Sequence, residues 1–211
     1  KGVNGEDIPF IKIHSHFFQV GTQYYVENCP TTIDEQCPAC EMNKELWETD
    51  IEANKKIASS RKRKLEYVAN IVVVQDKLNK DAEGKVFKWR FGKQIMDIIV
   101  HKAKGDKDSG INPVDVTDVF EGCNLIVRYV KDKHGGSYKT SEFVDKSELF
   151  NGDEAALKVV FDNMHLLSPI VSKDKFKSYD ILKARLAKVL GASVTPIRRA
   201  EDDLNNDLDN L

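Results

Sequence analysis

Cys29-Pro30-Thr31-Thr32-Ile33-Asp34-Glu35-Gln36-Cys37-Pro38-Ala39-Cys40 crowds three cysteines into twelve residues. Cys37-Pro38-Ala39-Cys40 is a C-x-x-C turn, which aims two thiolates at one point. Cys29 stands eight residues upstream of Cys37 and supplies a third thiolate. A tetrahedral site needs a fourth ligand, and the segment just before offers His14 and His16. The two histidines fall on one face of an alternating segment, so pattern alone does not separate them. Three thiolates and one imidazole make a closed set with no position left for water or substrate, which is the chemistry of a single structural Zn2+.

Two other readings of the same cysteines are weaker. A redox pair opens a helix directly after a buried strand, whereas polar Asp34-Glu35-Gln36 precedes Cys37 and a third cysteine lies nearby. A zinc nucleobase deaminase needs H-x-E upstream of P-C-x-x-C. Neither His14 nor His16 has a glutamate two residues later, and Gln36 precedes Cys37. Cys123 sits apart in an apolar segment and reads as a core residue.

Outward from this knot the chain reads as mainly β with peripheral helices, an α+β pattern. Residues 10–20 and 24–27 alternate as a hairpin that ends at Cys29. Residues 41–60 read as a polar helix. Leu65–Gln75, with Ile71-Val72-Val73-Val74 inside it, predicts a strand buried on both faces. Lys85–Phe91 predicts another strand, and Gln94–Lys102 a short helix. A short strand is expected at 114–116, a longer one at 123–130, a turn at His134-Gly135-Gly136, and a return strand at 137–144. Asp153 and Ser178 read as N-caps for helices at 154–166 and 179–190, with Gly191 as a stop. Several short strands with peripheral helices suit a small OB-like barrel.

The chain has 211 residues, 41% hydrophobic and 31% charged, with a net charge of −2. No apolar run approaches the roughly 18 residues of a membrane span. Lys1-Gly2-Val3-Asn4-Gly5 carries no apolar leader core and no initiator Met, so the chain reads as a fragment. Cysteines clustered without such a leader favour a reducing compartment and a metal over disulfides. The charge is uneven. Residues 27–50 hold seven acidic groups against Lys44, residues 51–104 hold fourteen Lys/Arg against six Asp/Glu, and residues 200–211 hold five acidic groups and no basic one. A basic middle with an acidic end points to a polyanion partner and a tail that competes with it. Residues 192–211 are expected to be a disordered acidic tail.

The basic middle interleaves cations with aromatics. Arg61-Lys62-Arg63-Lys64 leads to Tyr67, and Lys88, Trp89, Arg90 and Lys93 follow. Cations neutralise phosphates, and rings stack on unpaired bases for about 1–3 kcal/mol each. Trp47 and Tyr138 are further candidate platforms. Phe87, Trp89 and Phe91 alternate on one strand face, so burial competes with base contact there. No paired carboxylates, phosphate loop or nucleophile elbow points to an enzyme.

Taken together, these residues resemble the single-stranded DNA-binding (helix-destabilising) proteins of T-even-type bacteriophages. The resemblance runs through His16 to Tyr25-Val26-Glu27-Asn28-Cys29, Cys37-Pro38-Ala39-Cys40, Leu46-Trp47-Glu48-Thr49-Asp50, Lys62-Arg63-Lys64, Tyr67-Val68-Ala69-Asn70-Ile71-Val72-Val73-Val74, Glu83–Lys93, Pro113–Thr117 and Ser172–Ser178. It implies an OB-fold core over residues 1–191 with an inserted zinc subdomain at about 14–60. It implies zinc on His16, Cys29, Cys37 and Cys40, and a basic cleft for single-stranded DNA approached by Trp47, Tyr67, Trp89 and Tyr138. A family tryptophan after Tyr67 is Val68 here, and Leu65-Glu66 replaces the usual Ser/Thr after the basic run. The resemblance implies replication and recombination partners on the acidic tail, action in the cytoplasm of a host cell, and self-association weakened where a basic N-terminal arm is missing before Lys1. An alternative role is a zinc-stabilised module that recruits replication factors through its acidic segments.

Overall fold

The computed structural model describes residues 9–133 and 135–191. The expected acidic tail at 192–211, and His134 of the expected turn, lie outside the described residues. The strands are β1 (Phe10–Val20), β2 (Gln23–Asn28), β3 (Lys64–Val72), β4 (Val86–Gly92), β5 (Cys123–Ile126), β6 (Val130–Asp132), β7 (Gly135–Ser137) and β8 (Glu142–Lys146). The helices are α1 (Pro38–Glu48), α2 (Glu52–Arg61), α3 (Lys93–Lys104), α4 (Glu154–Asp162) and α5 (Tyr179–Leu190). One sheet has the order β2-β1-β3-β4, and two smaller sheets pair β5 with β8 and β6 with β7. This is the expected mixture of strands and helices. No helix among the described residues is long and apolar enough to cross a membrane.

The described residues form two compact units, 9–12 with 65–170, and 13–64 with 171–191. In the first, β3 and β4 pair antiparallel with Tyr67 opposite Phe91 and Ala69 opposite Trp89. Their inward rings join Ile95 and Met96 of α3 in one apolar cluster. The β-branched run is covered less than expected. β3 ends at Val72, Ile71 and Val72 are half-buried, and Val74 is 41% exposed, because the chain turns away through residues 76–84. The expected strand at 123–130 is broken. Ser141 Oγ accepts the Arg128 N–H at 2.9 Å, a bond that takes the backbone group a continuous ladder would use. The expected strand at 114–116 is a turn, in which Asp115 Oδ1 accepts from the Thr117 N–H and hydroxyl at 2.9 and 2.7 Å. Asp153 caps α4 by accepting from Ala155 and Ala156, as its position predicts. The helix ends at Asp162, earlier than expected.

In the second unit, β1 and β2 form the hairpin, with His16 opposite Glu27 and Phe18 opposite Tyr25. The expected single helix at 41–60 is two helices. Asp50 sits at φ 56, and the Thr49 hydroxyl donates to the Leu46 carbonyl at 2.8 Å while accepting from Asn54 at 3.0 Å. That side-chain knot ends α1 and starts α2. Leu182, Leu186 and Val189 of α5 bury against Phe18, Tyr25, Cys29, Cys37 and Ala39. Each such side chain contributes about 1.5–3 kcal/mol when fully buried. α5 therefore roofs the cysteine knot from a distance in sequence that local pattern does not register.

Candidate metal centre and nucleic-acid interface

His16, Cys29, Cys37 and Cys40 converge, with one ligand atom from each all within 4.8 Å of one another. The hairpin supplies the first two, since His16 points inward from β1 and Cys29 follows the end of β2. Cys37 is the extended N-cap of α1, and Cys40 lies in its first turn. His16 Nε2 stands 3.5 Å from Cys37 Sγ and 3.4 Å from Cys40 Sγ, and the Cys29 and Cys40 sulfurs are 3.5 Å apart. Tetrahedral zinc, with bonds of about 2.3 Å to sulfur and 2.0 Å to nitrogen, requires edges of about 3.6 Å between nitrogen and sulfur and about 3.8 Å between sulfurs. The donors already stand at nearly that spacing, so the set fits one metal ion.

The groups behind the ligands support the same reading. His16 Nδ1 lies 3.1 Å from the Arg61 carbonyl, which can only accept. Nδ1 therefore carries a proton, which leaves Nε2 as the atom that faces the thiols and would ligate once it sheds its own. Arg63 Nη1 donates to Thr31 Oγ1 at 2.5 Å, which leaves the Thr31 hydroxyl proton available to Cys29 Sγ at 3.1 Å. Burial alone would lower the His16 pKa, but hydrogen bonds and negative charge from Cys29 and Cys37 raise it to about 9. Hydrogen bonds from Cys37 and Cys40 pull the Cys29 thiol far below its usual range, and the contacts with Cys29 and Cys37 push Cys40 far above it. Without a metal the knot can ionise a thiol only by holding protons on its neighbours. A divalent cation held by the four donors would take the place of those protons. His14, which pattern could not separate from His16, lies outside the four-residue group. Its backbone is used instead, donating to Thr32 Oγ1 and accepting from the Cys29 N–H at 2.8 Å each. Cys123 is half-buried in β5, and burial pushes its thiol up, consistent with a packing role.

The acidic stretch that could serve as a recruiting surface is largely engaged from within. Glu27 is buried and accepts from Lys177 Nζ at 2.7 Å and Arg185 Nε at 2.8 Å. Lys173 pairs with Glu35 at 2.7 Å, and the Tyr179 hydroxyl donates to Glu41 at 2.6 Å. Three of the seven carboxylates of this stretch are thus spent on holding α5 and the segment before it.

The basic–aromatic residues divide. Lys62, Arg63 and Lys64 are exposed, but Arg61 is buried, with its guanidinium carbon 5.8 Å from the Phe18 ring centre. It closes α2 and faces inward, unlike the three cations after it. Strand alternation puts Lys88 and Arg90 on one face of β4 and Trp89 on the other. Trp89 lies 4.8 Å from the Phe91 ring and is half-buried in the first unit's core. Tyr67 is buried between Phe10 and Phe91, at 5.5 and 5.7 Å. Tyr138 is half-buried, with its N–H donating to Gln94 Oε1 at 2.8 Å. Trp47 is 53% exposed on α1. Arg90 pairs with Glu66 at 2.5 Å and Lys93 with Asp97 at 2.7 Å, whereas Lys62, Lys64 and Lys88 have no carboxylate partner among the described residues. Sequence reading missed the exposed rings of Phe17, Tyr24 and Tyr129, and Phe87, weighed there between core and base contact, is 40% exposed. For Phe17 and Tyr24 the signal was present, because outward positions of the hairpin alternate with the metal-facing ones.

Residues 2–190 match a protein family described as gp32 DNA binding protein like. The chain is 37% identical to the single-stranded DNA-binding protein of Enterobacteria phage T2 over 217 aligned positions, which cover 98% of this chain and 70% of that protein. The single-stranded DNA-binding protein of Enterobacteria phage T4 gives the same identity and the same coverage.

Proposed function

The chain belongs to the gp32-like family of DNA-binding proteins, and from that premise we propose that it binds single-stranded DNA without strong sequence preference. The carrying observation is the family match over nearly the whole chain, supported by the exposed, carboxylate-free Lys62, Lys64 and Lys88. These three take phosphates, as do Arg63, Arg90 and Lys93. Trp47, Trp89 and Tyr138 offer ring surface to bases. Arg61 and Tyr67 work from beneath, one through the carbonyl that orients His16 and the other through the ring that backs Phe91. The strands of the first unit belong to an OB-like barrel, and one zinc ion occupies the Cys3His knot as a structural element. The protein acts on phage DNA in the host cell during replication, recombination and repair, with the acidic tail recruiting partner proteins. Its relatives are named for DNA binding, not for an enzymatic activity. A purely protein-recruiting role is less well supported, since Glu27, Glu35 and Glu41 are already taken.

Titration of metal-loaded protein with oligo-dT at several salt concentrations tests this reading. Affinity falls steeply with salt, with a slope near −0.7 per phosphate contact for single strands. Lys62→Ala and Lys88→Ala each reduce that slope by about 0.7. Absence of binding at low salt by a folded, metal-loaded protein would refute the proposal.

A further inference from the structure

The outer face of the β1–β2 hairpin carries two rings that the interface above does not use. Phe17 and Tyr24 are each 51% exposed, and Val26, directly across from Phe17, is 49% exposed. The two rings lie 6.2 Å apart, tilted at 43°. Lys64 Nζ sits 5.2 Å from the Phe17 ring centre. Residues 10–26 contain no Asp or Glu, and Glu27 turns to the opposite face, where Lys177 and Arg185 hold it.

We propose that Phe17 and Tyr24 form a base-stacking platform for single-stranded nucleic acid, with Lys64 on the adjoining phosphate. The inference rests on the DNA-binding reading above and adds a subsite to it. Two half-exposed rings side by side are costly to leave in water unless something covers them. A cation at the edge of the rings and the absence of carboxylates fit a polyanion with flat bases. The platform is also held in place before any ligand arrives. The inward side chains of the same strands are His16 at the metal knot and Phe18, whose ring stacks on Tyr25 at 4.9 Å. A surface fixed in this way loses little freedom when it binds.

Phe17→Ala, Tyr24→Ala and the double variant test the platform in the metal-loaded protein. Their metal content and unfolding midpoint stay at the parent's values, because both rings face away from the knot. Each single variant binds oligo-dT about tenfold more weakly, with the salt slope unchanged, because a base contact and not a phosphate contact is lost. Lys64→Ala instead lowers the slope. With an oligonucleotide carrying abasic sites, the parent loses affinity and the double variant loses little more, so the two changes are not additive. If the parent binds oligo-dT and the double variant binds it equally well, the platform is refuted while DNA binding stands. If the double variant binds normally but loses association with a second copy or another protein, the face is a protein surface and the proposal is overturned. If the parent itself does not bind, both readings fail together.

Discussion

His16→Ala leaves the protein without bound metal, and His14→Ala retains it. Both histidines lie on one strand face, but only His16 brings Nε2 to 3.4–3.5 Å from two sulfurs, with Nδ1 held by the Arg61 carbonyl. Metal analysis of the purified variants reads this directly, and retention by His16→Ala or loss by His14→Ala would overturn the assignment. The effect on stability is large. Structural zinc contributes an apparent 10–16 kcal/mol or so to the folding of small zinc domains near pH 7. A typical domain has only about 5–15 kcal/mol in total. The knot lies inside the second unit's core, since Cys29 and Cys37 are themselves members of its apolar cluster. A chelator acts on the parent as His16→Ala does, and acid has the same effect, because each ligand must shed its proton to bind the metal and affinity falls with pH. DNA binding falls in step. The Arg61 carbonyl and the Arg63 guanidinium both belong to the shell behind the ligands, so losing the metal releases the basic run from its anchor.

The Cys3His knot was legible because its chemistry is local: three thiols within twelve residues leave few alternatives. The choice of histidine was not legible in the strand pattern, which treats i and i+2 alike. It depends on which imidazole finds a carbonyl behind it. The helix after the knot was read as continuous because its composition is uniformly polar. Its break depends on Asp50 at φ 56 and on side-chain bonds of Thr49 that composition does not record. The basic–aromatic stretch was legible as composition but not as a surface. Lys88, Trp89 and Arg90 are neighbours in the chain and point to opposite faces of β4. Arg61 looks like the first of four equal cations, yet it ends a helix whose last turn faces Phe18. The packing of α5 against the knot was hidden for a different reason. Its apolar stripe predicts a helix with a buried face but does not say which element that face meets.

Truncating both Lys177 and Arg185 destabilises the second unit more than removing the glutamate they share. Glu27 is buried on β2, while its two partners are about half in water, with side chains 46% and 42% exposed. Glu27→Gln releases two cations that simply turn to solvent. It costs about 1–2 kcal/mol, the roughly 1.5–3 kcal/mol of a hydrogen bond to a charged group trimmed by the exposure of both cations. Lys177→Met with Arg185→Met leaves a carboxylate buried with neither of these partners. Breaking a buried pair in that direction costs roughly 3–5 kcal/mol, and partial exposure of the cations trims the figure to about 2–4 kcal/mol here. Urea unfolding of the metal-loaded variants measures both values. A triple variant, Glu27→Leu with Lys177→Met and Arg185→Met, recovers most of the loss, because no stranded charge remains. If the double lysine–arginine variant is no less stable than Glu27→Gln, the carboxylate is reached by water and the triad does not clamp α5. The ordering also bears on the metal. Lys177, Arg185 and the apolar stripe of α5 all press on the strand that leads into Cys29, so a variant that loosens α5 lowers metal affinity although it touches no ligand. Glu27→Gln leaves the stripe in place and lowers it less.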